Sequence, residues 1–179
     1  MKTDSDIWLT EKAVDVLKEI GIKEGQIILD FGCGAGYYTI PVAKIAGDNG
    51  KVYALDKDGN SLDELKNKAK EEKVKNIEII KTSGEIKIPF EDNSIDVILL
   101  YDVIHSYYFS DDERKKVVDE TKRVLKVRGM LSLYPKHMNL EEIKCEIEKE
   151  GFYLEKRIFT TLLHYYSLTD GYILNFRRR

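Results

Sequence analysis

The chain has 179 residues, 42% of them apolar and 34% charged, which is the composition of a globular protein with the length of one domain. Its 29 Lys and Arg residues nearly balance its 32 Asp and Glu residues, and the net charge of −3 argues against a bulk electrostatic surface for nucleic acid. No apolar run approaches the ~20 residues that span a bilayer, and the polar start lacks the pattern of a signal peptide. We therefore expect a cytoplasmic protein that no membrane segment anchors.

The first half of the chain alternates between helical and strand patterns. Apolar residues at helical spacing predict helices over residues 10–20 and 38–46. Ser61 and Glu64 form a capping-box pattern that opens a third helix, which ends near Glu72. Continuous apolar strands are expected where helices cover both faces of a parallel sheet. Short apolar runs of this kind predict buried strands over residues 26–31, 51–55, 77–80 and 95–100.

The second half continues this alternation and then departs from it. A second capping box, Ser110 to Glu113, opens a helix to about Val127, and Asn139 caps another helix that runs to Glu150. Because no helix-length segment separates the last two strands, they must pair antiparallel. The strands in this half are predicted over residues 130–134, 152–159 and 172–176.

These elements predict an α/β fold with a doubly wound, mostly parallel sheet. We expect one domain over residues 1–179, made of an N-terminal helix region (1–24), a cofactor-binding core (25–135) and a C-terminal helix with an antiparallel strand pair (136–179). In such sheets, ligands bind beyond the carboxyl ends of the strands. The two cysteines and three histidines show no metal-ligand spacing, so the sequence predicts no metal site.

The strongest local signal is a loop with three alternate glycines, Gly32, Gly34 and Gly36, between a predicted strand and a predicted helix. Glycines let a ligand approach the backbone, and free N–H groups at a helix N-terminus favour a carboxylate or a phosphate. A dinucleotide-binding loop needs a glycine where this chain has Tyr37. The pattern instead suits S-adenosylmethionine, whose methionine carboxylate can bind the loop N–H groups.

Two aspartates accompany this loop in the predicted cofactor site. Asp30 lies two residues before the first glycine and can accept hydrogen bonds from the ammonium group of the methionine part. Asp56 ends the second predicted strand, where an acid can accept both ribose hydroxyls. We also place Cys33, within the loop, and Lys57, next to Asp56, among the predicted cofactor contacts.

Four segments carry a resemblance to a known family: DFGCGAG (30–36), VYALD (52–56), IPFEDNSIDVILL (88–100) and RVLKVRGMLSLYPK (123–136). Through them, the core of the chain resembles a class I S-adenosylmethionine-dependent methyltransferase of the small type that includes the quinone-biosynthesis C-methyltransferases. The resemblance implies a Rossmann-like methyltransferase fold with a seven-stranded sheet of order 3-2-1-4-5-7-6, strand 7 being antiparallel. The elements predicted above agree with this topology.

After the third strand the chain departs from the family's usual pattern, in which an Asp followed by a small or apolar residue contacts the adenine amino group. Ser83, Gly84 and Glu85 occupy this place here. We therefore expect a backbone amide of this segment, or the Ser83 side chain, to contact the adenine.

Candidates for catalysis lie after the fourth strand, where the methyl acceptor should enter. Methyl transfer depends on positioning donor and acceptor, and it needs a general base only if the acceptor loses a proton. The resembled family often has a His at the place of His105, which is either a base or acceptor-orienting group, or a helix residue bonded to the backbone. Tyr101 and Tyr107 are the other catalytic candidates, and Tyr101 is also a predicted cofactor contact. His137 follows the fifth strand and His164 lies between the sixth and seventh strands. We consider these two histidines as candidate substrate contacts in addition to the three catalytic candidates.

The acceptor class is judged from motifs that the chain lacks. Residues 101–104 do not form the Asn/Asp/Ser-Pro-Pro-aromatic tetrad of adenine and cytosine amino-methyltransferases, and neither Cys is placed as the nucleophile of a cytosine C5 enzyme. Asp102 alone supplies too few carboxylates for the metal-dependent catechol type. These absences predict a small-molecule acceptor. The alternatives are an RNA- or protein-directed methyltransferase that docks through Arg177, Arg178 and Arg179, and a cofactor-binding subunit without turnover.

Overall fold

A computed structural model describes residues 1–179 as a seven-stranded sheet with helices on both faces. The strands are β1 (Ile27–Phe31), β2 (Lys51–Asp56), β3 (Ile77–Lys81), β4 (Ile95–Tyr101), β5 (Leu125–Tyr134), β6 (Phe152–His164) and β7 (Ser167–Arg178). The helices are α1 (Asp4–Ile7), α2 (Ala13–Ile20), α3 (Thr39–Ala46), α4 (Gly59–Glu71), α5 (Asp111–Val124) and α6 (Leu140–Lys149), with a π-helical turn (Trp8–Lys12) joining α1 to α2.

The predicted sheet topology is confirmed. The strand order is β3-β2-β1-β4-β5-β7-β6, and β1 to β5 pair in parallel. β7 is antiparallel to both β5 and β6, as expected from two strands that are joined without a helix. The order of the strands reverses between β1 and β4, and in doubly wound sheets a ligand binds at this switch point.

Alternate residues of the central strands face two separate hydrophobic cores. Ile28 packs with Leu17 of α2 and Val42 of α3, whereas Leu29, the next residue, packs with Val117 of α5. Each buried side chain of this kind stabilises the fold by ~1.5–3 kcal/mol. Because helices cover both faces of the sheet, its strands are apolar on both faces. No helix combines the length and the apolar character needed to cross a membrane.

The predicted caps of α5 and α6 are confirmed, and the predicted start of α4 is wrong. Ser110 and Glu113 form the reciprocal capping box of α5, and the Asn139 side chain accepts two hydrogen bonds from the first turn of α6. Helix α4 is capped by the Asp58 side chain and begins before Ser61. An Asp at this position satisfies the first N–H groups as well as a Ser would, so the earlier cap prevails.

The strands near the C-terminus are longer than predicted. β5 begins directly after α5, so the helix expected to reach Val127 ends at Val124. β6 and β7 form a hairpin that continues until His164 pairs with Ser167, beyond the last β5 residue that pairs with β7, Leu133. The outer part of this hairpin mixes polar and tyrosine residues with the two buried leucines Leu162 and Leu163, and this short apolar pair was too brief to predict the extension.

Candidate active site

The three loop glycines all have positive φ angles, but they serve different purposes. A Cβ atom on Gly32 would lie 2.7 Å from the Val103 Cγ2 atom, and one on Gly36 would clash with the Leu65 side chain. These two glycines are needed for packing. A Cβ atom on Gly34 would meet no atom within 4 Å, so this glycine faces open space at the switch point. Gly34 is therefore the glycine that a ligand can approach.

Hydrogen bonds tie the loop to β2. The N–H groups of Gly32 and Cys33 both donate to the Leu55 carbonyl, and the Gly34 N–H donates to the Asp56 carboxylate at 2.8 Å. The Gly36 N–H donates to the Cys33 carbonyl, so none of the three glycines leaves its N–H group free, and the expectation of free N–H groups at these glycines is wrong. The N–H groups of Ala35 and Tyr37, which donate to no acceptor within the chain, stay available at the start of α3.

Asp30 is buried beneath the loop, at 3% exposure. Its Oδ2 atom accepts a hydrogen bond from the Thr39 hydroxyl at 2.6 Å, so α3 and β1 hold the carboxyl group between them. Burial raises the pKa of Asp30 to about 7, and the negative charge of Asp56 adds to this rise, while the Thr39 hydrogen bond opposes it. Such a buried acid gains stabilisation when a cation binds nearby.

The remaining predicted cofactor contacts lie around these two acids. The Cys33 side chain packs in the core with Ala54 and Leu62, and burial raises the pKa of its thiol, so this residue can offer only its backbone to a ligand. A Cβ atom on Gly84 would lie 3.9 Å from the Lys57 Cδ atom, which brings the segments after β2 and β3 side by side. The side chains of Lys57, Ser83 and Glu85 are exposed at this edge.

The three predicted catalytic residues occupy different environments. Tyr101 is buried, and its hydroxyl lies 2.8 Å from the Ser132 Oγ atom inside the sheet; burial raises the pKa of this phenol. Tyr107 is 83% exposed. His105 is buried, its Nδ1 atom accepts a hydrogen bond from the Tyr107 N–H at 3.3 Å, and burial lowers its pKa. Of these three residues, only His105 has a buried side-chain polar atom, Nε2, without a hydrogen-bond partner.

Sequence reasoning missed the cluster that surrounds His105. Asp102 follows β4, His137 follows β5, and His164 ends β6, yet the His164 Nε2 atom lies 2.8 Å from the Asp102 Oδ2 atom and 3.0 Å from the His137 Nε2 atom. A usable signal was present, since β6 runs antiparallel to β7 and hence parallel to β5. The carboxyl ends of β4, β5 and β6 therefore meet at one edge of the sheet.

Comparison with known proteins identifies the family. A family described as a methyltransferase domain matches residues 29–133, more than half of the chain. The chain belongs to this family. The predicted resemblance to the class I S-adenosylmethionine-dependent methyltransferases is thereby confirmed. The residues present fit the family's cofactor, because the loop combines the open face of Gly34 with the free N–H groups of Ala35 and Tyr37, and the buried acid Asp30 lies at the end of the strand before this loop.

Individual relatives support this membership. The demethylmenaquinone methyltransferase of Lactococcus lactis is 37% identical over 95 residues, which cover 53% of this chain and 36% of the relative. That of Staphylococcus aureus (strain MRSA252) is 30% identical over 116 residues, covering 65% of this chain and 45% of the relative. The chain thus spans less than half of the length of these curated relatives. The crystal structure of a SAM dependent methyltransferase from Aquifex aeolicus has a TM-score of 0.78 and 26% identity, covering 98% of this chain and 93% of that one.

Proposed function

We propose that this protein transfers a methyl group from S-adenosylmethionine to a small organic acceptor. The observation that carries the proposal is the open face of Gly34 at the switch point. Gly34 lies in the loop that is tied to β2, and this loop packs at Gly32 against Val103, in the segment after β4 that also holds His105. The relatives reported above are named for demethylmenaquinone, and a ring of the quinone type, in its oxidised or reduced form, is the acceptor we favour. Bound S-adenosylmethionine supplies a methyl group on a positively charged sulfur. A nucleophilic atom of the acceptor can take this methyl group and displace the sulfur.

On the cofactor side, this chain's residues bind and orient. The N–H groups of Ala35 and Tyr37 donate to the carboxylate of the methionine part, and Asp30 accepts from its ammonium group. Asp56 retains lone pairs beyond the two backbone hydrogen bonds that it accepts, and these serve the ribose hydroxyls. The exposed segment after β3, residues 83–85, holds the adenine.

On the acceptor side, His105 orients the reacting group. Because its Nδ1 atom accepts the Tyr107 N–H, the proton of the neutral ring resides on Nε2. The Nε2 atom has no partner within the chain, so it can donate a hydrogen bond to an acceptor oxygen on which negative charge resides or develops. In this state His105 acts as a hydrogen-bond donor rather than as the general base.

The test is a transfer assay with S-adenosylmethionine that carries a radiolabelled methyl group. The protein is incubated with fractionated small metabolites, with reduced naphthoquinones, with RNA and with protein extract. We expect label in an organic-soluble small-molecule fraction, and much less label when Gly34→Ala replaces the wild type at the same S-adenosylmethionine concentration. Label in RNA or protein alone would instead support the macromolecule-directed alternative, and binding of S-adenosylmethionine without label in any fraction would support a subunit without turnover.

A further inference from the structure

All three histidines of the chain lie around the Asp102 carboxylate. The His164 Nε2 atom lies 2.8 Å from Asp102 Oδ2 and 3.0 Å from His137 Nε2, and the latter atom lies 3.6 Å from Asp102 Oδ1. From this convergence we propose that Asp102, His137 and His164 bind one divalent transition-metal ion. The sequence predicted no metal here, and the site goes beyond the methyl transfer proposed above.

The spacing of the three ligand groups fits a single ion. Imidazole nitrogens and carboxylate oxygens bind Zn²⁺ at ~2.0–2.2 Å. Two ligands at such distances lie ~3.0 Å apart when their bonds are perpendicular and ~3.4 Å apart at the tetrahedral angle. The two nitrogens lie 3.0 Å apart, and each lies near a different oxygen of the Asp102 carboxylate, His164 at 2.8 Å and His137 at 3.6 Å, which is close to these values. Small side-chain shifts therefore suffice to seat the ion.

Without a cation, the two short contacts of the His164 Nε2 atom compete for one proton. Each imidazole Nε2 carries either one proton or one lone pair in the ring plane. If His164 Nε2 donates its proton to Asp102, it has no lone pair to offer His137; if it holds a lone pair, it faces the carboxylate without a donor. A metal ion resolves this conflict, because both nitrogens and the carboxylate then direct lone pairs at one positive charge.

Two buried atoms beside the cluster point to the same place. Asp102 Oδ1 and His105 Nε2 are both buried without a hydrogen-bond partner, and the His105 side chain is only 8% exposed. They lie 3.9 Å apart, beyond hydrogen-bond range. Buried polar atoms are nearly always paired in native proteins. An ion bound to Asp102 supplies the missing partner of Oδ1, while the His105 Nε2 atom stays beside it, free to donate to an acceptor.

The scaffold holds the ligands where a metal can reach them. The Asp102 N–H donates to the Tyr134 carbonyl at 3.0 Å, which fixes the end of β4 against the end of β5. The His164 ring packs against Tyr165 and Tyr134, whereas His137 is 43% exposed on the open side of the cluster. Two nitrogens and one oxygen suit Zn²⁺, Fe²⁺ or Co²⁺ rather than Ca²⁺ or Mg²⁺, which prefer all-oxygen sites. Three protein ligands leave further positions free, as in metal sites that bind a substrate.

The test measures metal binding directly and does not depend on methyl transfer. Protein stripped with a chelator is titrated with Co²⁺, followed by visible absorption, and the bound Co²⁺ is then displaced with Zn²⁺. We expect one equivalent per chain and a higher thermal unfolding temperature with Zn²⁺. His137→Ala and Asp102→Asn should each weaken binding by at least ~100-fold, because even the loss of an outer-shell partner costs ~10–100-fold.

Both variants are expected to fold. The His137 side chain is largely exposed, and Asn tolerates the positive φ of 54° at residue 102. Asp170→Asn is the matched control, because it removes an exposed carboxylate that binds Thr161 outside the cluster and should leave metal affinity unchanged. Binding that neither variant weakens, or no binding of Co²⁺ or Zn²⁺ at one equivalent per chain, would overturn the proposal, whether or not the protein transfers methyl groups.

Discussion

Asp56 Oδ2 accepts a hydrogen bond from the Gly34 N–H group at 2.8 Å, while Asp56 Oδ1 accepts one from the Asp58 N–H group at 2.9 Å. The acid that ends β2 therefore holds the middle glycine of the loop that follows β1. From the sequence, Asp56 serves the ribose and Gly34 serves the methionine part, as two separate contacts. The hydrogen bond couples them, so a change at Asp56 alters both halves of the cofactor site.

Replacing Asp56 with Ala should weaken S-adenosylmethionine binding by ~1.5–3 kcal/mol, which corresponds to roughly 10–150-fold in the dissociation constant. Because the loop also loses the acceptor of the Gly34 N–H, methionine alone should bind more weakly as well, although by less. Calorimetric titration with both ligands measures the two effects. Unchanged methionine binding would mean that Asp56 acts on the sugar only.

Asp58→Ala is the matched control for this change. Its side chain caps α4, and its hydrogen-bond partners, the Asn60 N–H and the Ser61 hydroxyl, both belong to that helix. We expect this variant to lose ~0.5–2 kcal/mol of stability, the usual cost of a lost cap, and to bind S-adenosylmethionine normally.

The loop glycines should separate into one that serves the ligand and two that serve packing. Gly34→Ala should keep the fold and bind S-adenosylmethionine at least ~100-fold more weakly, since the new methyl group occupies the open space at the loop. Gly36→Ala should unfold at a clearly lower temperature, because its Cβ atom clashes with Leu65. Thermal unfolding and calorimetric titration measure the two properties.

Gly25→Ala provides the control for backbone strain. Gly25 also has a positive φ, of 78°, and a Cβ atom there would meet no atom within 4 Å, yet it lies before β1 at the opposite end of that strand. If Gly25→Ala lost as much cofactor affinity as Gly34→Ala, backbone strain would explain the Gly34 result. The space that the new methyl group occupies at the loop would then not be the cause.

Asp30 should make the stability of the free protein depend on pH. Burial raises the pKa of Asp30 to about 7, whereas an exposed Asp titrates near ~3.9. Between about pH 4 and pH 7 the folded chain therefore holds more protons than the unfolded chain. The free energy of unfolding should fall as pH rises through this window, by up to about 4 kcal/mol from this group.

Urea denaturation of the wild type and of Asp30→Asn at several pH values measures this contribution. The Asn side chain resembles the protonated acid and cannot release a proton, so the variant should lose less stability than the wild type between pH 5 and pH 7.5. Parallel curves for the two proteins would show that Asp30 has an ordinary pKa in the folded state.

His105→Ala should lower turnover by ~10²–10⁴-fold, the range typical of residues that assist proton movement or stabilise charge at the reacting group. Affinity for S-adenosylmethionine should stay within a few-fold, because the cofactor contacts come from other strands. The adjacent variant Ser106→Ala, at an exposed position, serves as the control. A lower unfolding temperature with normal turnover per folded molecule would identify His105 as a packing residue.

The sequence predicted the fold well because the relevant signals are local. The apolar runs of β1 and β4 indicate strands that are buried on both faces of the sheet. The side chains of Ser110 and Asn139 cap helices by accepting hydrogen bonds from N–H groups only two or three residues away. The alternate glycines between β1 and α3 report a backbone conformation that other residues adopt only with strain. These features depend only on residues close to one another in the chain, so they can be recognised in a single sequence.

Only the tertiary structure decided the relationships between residues distant in the chain. The sequence cannot show that Asp56 holds Gly34, or that the hydroxyl of Tyr101 turns toward Ser132. Nor can it show that His137 and His164 meet Asp102, because that contact depends on the register and length of the β6–β7 hairpin. Hydrophobic periodicity fixes which face of a strand is buried, whereas side-chain contacts across the sheet edge depend on how far each strand extends before the chain turns.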